Sequence, residues 1–253
     1  MTRITEIGKR VQAFYNDVPF PDYDLKRFKN KEYLKLAMYP FAKIIDRSIP
    51  ENASIIDVGC GTGQLSAFLS LRRKKVYGVD FSDSSLDKAR MLKEKLKLDS
   101  LELKKIDILD LKQIEELGKF DYVLCLGVLH HTGNACFGFQ NILKLLKPRG
   151  YIVIGLYHTI GRIPLKLRKL LAKTLFKNNQ RVKDYFIKIQ IGDLTDKERV
   201  QGWWHDQYSH VHETTHTLGE VLRWFDKNDI EYYQTLPPSN LFDDHILEIA
   251  GVW

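Results

Sequence analysis

Between residues 54 and 156 the apolar positions fall into short runs separated by stretches of helical period. Ser54–Val58, Val76–Val79, Leu101–Ile106, Tyr122–Leu126 and Tyr151–Leu156 predict strands. Gln64–Leu71, Ser84–Leu96, Ile114–Leu117 and Asn141–Leu146 predict the helices between them. Strands that alternate with helices imply βαβ units and a parallel sheet. Continuous apolar runs, rather than strict alternation, fit strands covered on both faces.

The flanks have a different texture. Up to about Pro50 the pattern predicts a helix, a proline-broken turn from Pro19 to Asp24, and a second helix from about Leu25 to Arg47. After Leu156 the alternation stops for some 60 residues, too long for a plain loop in a compact domain. It resumes with a helix at about Thr217–Asp226 and strands at about Ile230–Leu236 and His245–Val252, an antiparallel pair that would close a sheet edge. The expected organisation is therefore a helical extension over residues 1–50, which could also cover a cofactor, and a domain over 51–253 carrying a helical insertion at about 158–214.

The chemistry concentrates where the first strand ends. Asp57-Val58-Gly59-Cys60-Gly61-Thr62-Gly63 runs directly into a helix. Glycines spaced by two let the backbone turn tightly and approach a ligand that a Cβ would exclude, and the helix N-terminus adds amide donors. The second strand ends in Gly78-Val79-Asp80, which sets a carboxylate beside the loop, where it can accept from both hydroxyls of a ribose. A dinucleotide fingerprint would need a third glycine at position 64, which is Gln64, so a nucleotide-dependent oxidoreductase fits poorly.

These residues resemble the class I S-adenosylmethionine-dependent methyltransferases, in particular the methyltransferase-domain group of types 11 and 12. Further matches are Val79-Asp80-Phe81-Ser82, Asp107-Ile108, Phe120-Asp121-Tyr122-Val123-Leu124 and Leu145-Leu146-Lys147-Pro148-Arg149-Gly150. The resemblance implies a Rossmann-like α/β fold, with a mostly parallel seven-stranded sheet and an antiparallel edge strand. It also implies S-adenosyl-L-methionine as cofactor. Asp57, Gly59, Cys60, Gly61, Gly63 and Gln64 would lie against its methionine part, and Asp80 would hold the ribose. Phe81, Ser82, Asp107 and Ile108 would surround the adenine. Leu126 would wall the site near the methyl, and Tyr15, in the aromatic opening Phe14–Tyr23, would cover the cofactor.

An acceptor that carries a proton needs a general base. The candidates are His131, in Val128-Leu129-His130-His131-Thr132, and His205 and His210, in Trp203-Trp204-His205-Asp206-Gln207-Tyr208-Ser209-His210. The rival reading of both groups is a packed aromatic wall whose histidines bond backbone groups. His210-x-His212-x-x-x-His216 offers imidazoles without the partners of a recognised zinc spacing, so no metal is expected. Leu126–Leu129 replaces the Asp/Asn-Pro-Pro-aromatic turn of nucleobase amino-methyltransferases, and no cysteine follows a proline as cytosine carbon methylation requires. A small-molecule acceptor methylated on O, N or C is the favoured reading, with an RNA methyltransferase or a catalytically silent S-adenosylmethionine-binding protein as alternatives.

Charge bears on the acceptor alone. The 253 residues carry a net +7, yet Thr159–Ile189 holds nine basic residues against Asp184, which is more than the whole excess. Arg162, Lys166, Lys169, Lys173 and Lys177 recur on one predicted helical face, with Ile163, Leu167, Leu170 and Leu171 on another. Arg162–Lys177 could therefore face nucleic acid or an anionic membrane surface. No apolar run is long enough to span a bilayer, and Met1–Arg10 lacks a signal-peptide layout. Three cysteines without a Cys-x-x-Cys spacing fit a reducing, cytoplasmic address.

Overall fold

A computed structural model describes residues 3–174, Tyr185, Lys188 and residues 197–235. Five strands alternate with helices as the pattern predicts: β1 (Ile55–Val58), β2 (Val76–Asp80), β3 (Leu101–Lys105), β4 (Phe120–Leu126) and β5 (Leu146–Gly155). They form one sheet of order β3-β2-β1-β4-β5, with every pairing parallel. Strand order reverses between β1 and β4, and such a switch point opens a crevice at the carboxyl ends of the strands.

Alternate side chains of each strand enter separate cores. Ile55, Val76, Leu101 and Leu124 pack on one face with Phe68, Leu69 and Leu92. Ile56, Val79, Val123 and Cys125 pack on the other with Phe139, Ile142 and Trp224. Helices α4 (Gln64–Leu69), α5 (Asp83–Leu96), α6 (Leu111–Glu115) and α7 (Ala135–Leu143) supply the covering layers. Asn134 caps α7 by accepting from the Phe137 amide, so this helix starts and ends earlier than the predicted 141–146, and Leu146 already belongs to β5.

The N-terminal segment departs from its predicted two helices. α1 (Arg3–Asp17) forms, but 25–47 divides into a 3-10 turn (Leu25–Arg27), α2 (Lys31–Ala37) and α3 (Pro40–Ser48). Local caps make the breaks: Asn30 accepts from the Tyr33 amide, and Pro40 opens α3, where its missing N–H costs nothing. Leu34, Met38, Ala42 and Ile45 share the core of β1 and β2.

The insertion contains α8 (Ile163–Thr174) and α9 (Lys197–Ser209), followed by α10 (Leu218–Asp226). The predicted strand at 230–236 is not formed at Ile230–Thr235. The Ile230 amide instead donates to the Phe225 carbonyl and closes the end of α10. The predicted strand at His245–Val252 lies outside the described residues. The sheet of the described residues is five-stranded and wholly parallel, and the predicted seven strands with an antiparallel edge are not confirmed in it. Among the described residues no helix is long and apolar enough to cross a membrane.

Candidate functional site

The glycine loop sits at the mouth of the crevice. Gly59, Gly61 and Gly63 all have positive φ, and the Gly59 and Cys60 amides both donate to the Val79 carbonyl, tying the loop to β2. Gly61 admits no side chain, since a Cβ there would lie 2.2 Å from the Phe20 carbonyl oxygen. A Cβ at Gly59 would meet the two Val128 methyls at 2.2 and 2.8 Å. The loop is therefore clasped from one side by the turn after β4 and from the other by the Phe20–Pro21 segment. Thr62 Oγ1 donates to the Pro21 carbonyl at 2.7 Å, and the Tyr23 hydroxyl donates to the Thr62 carbonyl at 2.7 Å.

Two buried carboxylates flank this loop. Asp57 accepts from Ser66 Oγ at 2.6 Å, and burial pushes its pKa up to about 6. Asp80 accepts from the Gly61 amide at 2.9 Å and the Ser82 amide at 2.8 Å, and burial again raises it. Among the described residues no cationic side chain is a source of either shift. The remaining lone pairs of Asp80 suit hydroxyl donors, and the uncompensated pair suits a cationic ligand. A ligand carrying ribose hydroxyls, a sulfonium and an ammonium fits this donor set.

The other predicted cofactor residues line the same edge. Cys60 is buried, and burial raises its thiol. Gln64 opens α4 behind Gly63. The Phe81 carbonyl accepts from Gln12 Nε2 at 2.7 Å, and Ser82 Oγ donates to Asn16 Oδ1 at 2.8 Å, so α1 lies along the end of β2. Asp107 is exposed and accepts from the Leu109 amide, while Ile108 is buried with its carbonyl held by Asn141 Nδ2. Leu126 ends β4 directly before Gly127.

A second group of side chains gathers beyond β4. His131 Nδ1 lies 3.0 Å from the His212 carbonyl, which makes Nδ1 the protonated nitrogen and leaves a lone pair on Nε2. Its ring stacks on His210 at 3.7 Å. Burial lowers His131 to about 4 and His210 to about 3, so both are neutral near pH 7. Tyr15 donates to Asp206 Oδ1 at 3.0 Å, and Gln207 Nε2 donates to Asp206 Oδ2 at 2.7 Å. Tyr157 stacks on His130 at 3.7 Å and accepts from Gln207 Nε2 at 3.0 Å. His205 is set apart from this pair: its ring stacks on Phe14 at 4.1 Å, and Phe14 packs on His210 as well.

His131, Asp206 and His210 have ligand atoms within 4.8 Å of one another and are the set that could hold a metal among the described residues. Their present bonds oppose that use. His210 Nδ1 accepts from the His212 amide, so its neutral ring carries the proton on Nε2, and Asp206 already takes three side-chain donors, Tyr15, Gln207 and Tyr157. The sequence-spaced triplet does not converge, because His212 Nε2 lies 3.1 Å from the Thr132 carbonyl and His216 Nδ1 lies 3.0 Å from Glu220. Ser66, Gln12, Asn16 and Tyr157 escaped sequence reasoning. Each is an ordinary polar residue, with no spacing that marks it.

Among known proteins, the chain is 30% identical over 110 residues to a ubiquinone biosynthesis O-methyltransferase of Acinetobacter baylyi, covering 44% of each chain. An uncharacterized protein of Rickettsia prowazekii is 29% identical over 160 residues, 61% of each. The chain thus spans less than two thirds of these relatives' lengths. Of solved structures, PKMT2 of Rickettsia typhi in complex with AdoHcy superposes with a TM-score of 0.57 at 21% identity, over 75% of this chain and 42% of that one. YcgJ of Bacillus subtilis gives 0.50 at 14% identity, over 84% and 77%. Those two likenesses concern the fold. A methyltransferase-domain model matches residues 49–227, the greater part of the sequence, and the chain belongs to that family, the class I S-adenosylmethionine-dependent methyltransferases.

Proposed function

We propose that this chain transfers a methyl group from S-adenosylmethionine to an oxygen, nitrogen or carbon of a small-molecule acceptor held against the His131–His210–Tyr15–Asp206 cluster. The observation that carries this reading is the pair of buried carboxylates, Asp57 and Asp80, flanking the glycine loop with no cationic side chain set against them among the described residues. When bound, S-adenosylmethionine supplies an activated methyl on its sulfonium. Asp80 holds the ribose, and Asp57 with Gly59, Cys60, Gly61, Gly63 and Gln64 receives the methionine part. Phe81, Ser82, Asp107 and Ile108 surround the adenine. Leu126 and Tyr15 wall the methyl, and residues 1–50 cover the cofactor through the clasp at Phe20–Pro21. Alignment of the acceptor and exclusion of water are then the main tasks of the protein.

The name of the Acinetobacter relative supports a hydroxyl acceptor. His131 Nε2 is then the proton acceptor, since Nδ1 is engaged by the His212 carbonyl. Calorimetry with S-adenosylmethionine, S-adenosylhomocysteine and NAD tests the cofactor. Binding of the first two and not the third is expected, and NAD binding alone would sink the reading. A homocysteine-release screen of small hydroxyl, amine and carbon acceptors tests the transfer. His131→Ala should lower turnover about hundredfold or more while leaving cofactor affinity unchanged. An unaltered turnover would remove His131 from the chemistry.

Asp57 predicts a pH dependence of its own. Held at about 6 against an ordinary 3.8, the carboxyl favours the protonated form in the apo fold. That contribution to stability is present below pH 3.8 and is lost, by about 3 kcal/mol, as pH rises through 6. A cationic ligand draws on the ionised form, so affinity for S-adenosylmethionine should be flat above pH 7 and fall toward pH 5. Calorimetry across that range should show the fall in the wild type and a flat, weaker profile in Asp57→Asn. A wild-type profile without the fall would remove Asp57 from contact with the cation.

A further inference from the structure

Helix α8 is amphipathic, but it is docked the wrong way round for a helix that simply covers a domain. Hydrophobicity alone would bury Ile163, Leu167 and Leu170 and leave the basic face in water. Arg162 is instead 2% exposed. Its guanidinium donates to Gln207 Oε1 at 2.6 Å and Glu213 Oε2 at 2.7 Å, and lies 3.6 Å over the Tyr157 ring. Lys169 pairs with Glu213 at 3.3 Å, and Leu165 is the buried apolar anchor.

This polar docking turns the other face outward. Ile160, Ile163, Leu167 and Leu170 are 57%, 47%, 56% and 58% exposed. Ile163, Leu167 and Leu170, spaced by four and three, share one ridge of α8, with Ile160 in the turn that precedes the helix and exposed Lys166 beside the ridge. A contiguous apolar ridge of this kind on a folded surface marks an interaction site. The charge of the surrounding sequence selects the partner. With Arg162 and Lys169 engaged by Glu213, the stretch Thr159–Ile189 still carries Lys166, Arg168, Lys173, Lys177, Arg181, Lys183 and Lys188 against Asp184.

We propose that the exposed ridge of α8 docks this protein on the surface of an anionic lipid bilayer, the leucine and isoleucine side chains entering the acyl boundary and the flanking lysines and arginines meeting the headgroups. Apolar burial and attraction to anionic lipid are the two contributions that hold an in-plane helix at a membrane. RNA would match the charge but has no use for four aliphatic side chains, since single strands are held by stacking on aromatic rings. A helix lying in the interface also agrees with the lack of a spanning helix among the described residues. Arg162 joins the inward face of α8 to Tyr157, so docking would set the His131–His210 cluster beside the bilayer. The proposal does not depend on methyl transfer, because vesicle binding and cofactor binding are read separately.

The test is co-sedimentation of the full chain with vesicles of phosphatidylcholine alone, and with about one third phosphatidylglycerol added. Binding should appear with the anionic vesicles, weaken about tenfold or more on plain phosphatidylcholine, and fall with added salt. The double variant Leu167→Glu with Leu170→Glu should lose anionic-vesicle binding about tenfold or more while keeping the wild-type melting temperature and S-adenosylmethionine affinity, since both residues are more than half exposed. Equal binding of variant and wild type would overturn the proposal, as would failure of the wild type to bind anionic vesicles. Two further outcomes would replace it: RNA binding that the double variant retains, with no vesicle binding, or a dimer that the double variant dissociates. Those would assign the segment to nucleic acid or to a second copy of this chain.

Discussion

Replacing Asp80 by alanine should lower the affinity for S-adenosylmethionine about hundredfold or more, and should cost the apo-protein about 1–3 kcal/mol. Both halves follow from the carboxylate's surroundings. Asp80 is buried and accepts backbone amides from Gly61 and Ser82, so its removal leaves two donors without their acceptor. A pair of ribose hydroxyls would donate to its remaining lone pairs. Hydrogen bonds to a charged group contribute about 1.5–3 kcal/mol each, and two of them account for a hundredfold or more. Asp80→Asn offers a single acceptor oxygen and should fall between the two. The readouts are calorimetric affinity and the melting shift that the ligand induces. A variant that still melts cooperatively, a few degrees lower, but no longer shifts with ligand supports the assignment. If Asp80→Ala still binds S-adenosylmethionine within about threefold of the wild type, the ribose lies elsewhere.

The sheet was legible in the sequence because each strand is a short apolar run buried on both faces. Ile55 and Ile56 enter opposite cores, so neither face is marked polar, and run length alone locates β1. The glycine loop was equally legible, since a positive φ beside a close backbone approach leaves no other residue type at Gly61. Helix boundaries were less so. Asn30 and Pro40 divide 25–47 by local capping, which the apolar period does not register. The second cluster was legible only as a composition. Tyr15 and Asp206 are 191 positions apart, and nothing in either neighbourhood announces the bond. The basic stripe of α8 was seen and its direction was not. A charged face is expected in water, and only the tertiary partners Gln207, Glu213 and Tyr157 explain why Arg162 is buried.

One helix links the end of β2 to the cluster beyond β4. Gln12 and Asn16 reach the end of β2 at Phe81 and Ser82, while Tyr15, between them in sequence, reaches Asp206. The Asp80 charge is itself among the influences that raise the Tyr15 hydroxyl, after burial and Asp206. α1 therefore touches the end of β2 with one set of residues and the His131–Asp206–His210 cluster with another. A displacement of α1 would open both together.

The largest effect on stability should come from Arg73, far from the chemistry. Its side chain is fully buried, which for a guanidinium is tolerable only if nearly every donor is met. Arg73 donates to the Asp46 carboxylate, to the Asp46 and Ile49 carbonyls at the end of α3, and to the Leu69 carbonyl at the end of α4. One residue thus satisfies the C-terminal carbonyls of α3 and joins that helix to the segment entering β2. Arg73→Met keeps the length and removes every donor. It leaves those carbonyls unmet and the buried Asp46 with Arg72 as its remaining ion-pair partner among the described residues, and Arg72 is 42% exposed. Breaking a buried pair from one side costs about 3–5 kcal/mol. In a chain of this size that lowers the melting midpoint by about 10 °C. Arg72→Ala, which removes the solvent-facing partner, should leave the midpoint near the wild type. Asp46→Leu added to Arg73→Met should recover part of the loss, because it removes the stranded carboxylate. A wild-type midpoint in Arg73→Met would mean that water or a neighbouring side chain meets those carbonyls as well as the guanidinium does, and α3 would then be held by its apolar face alone.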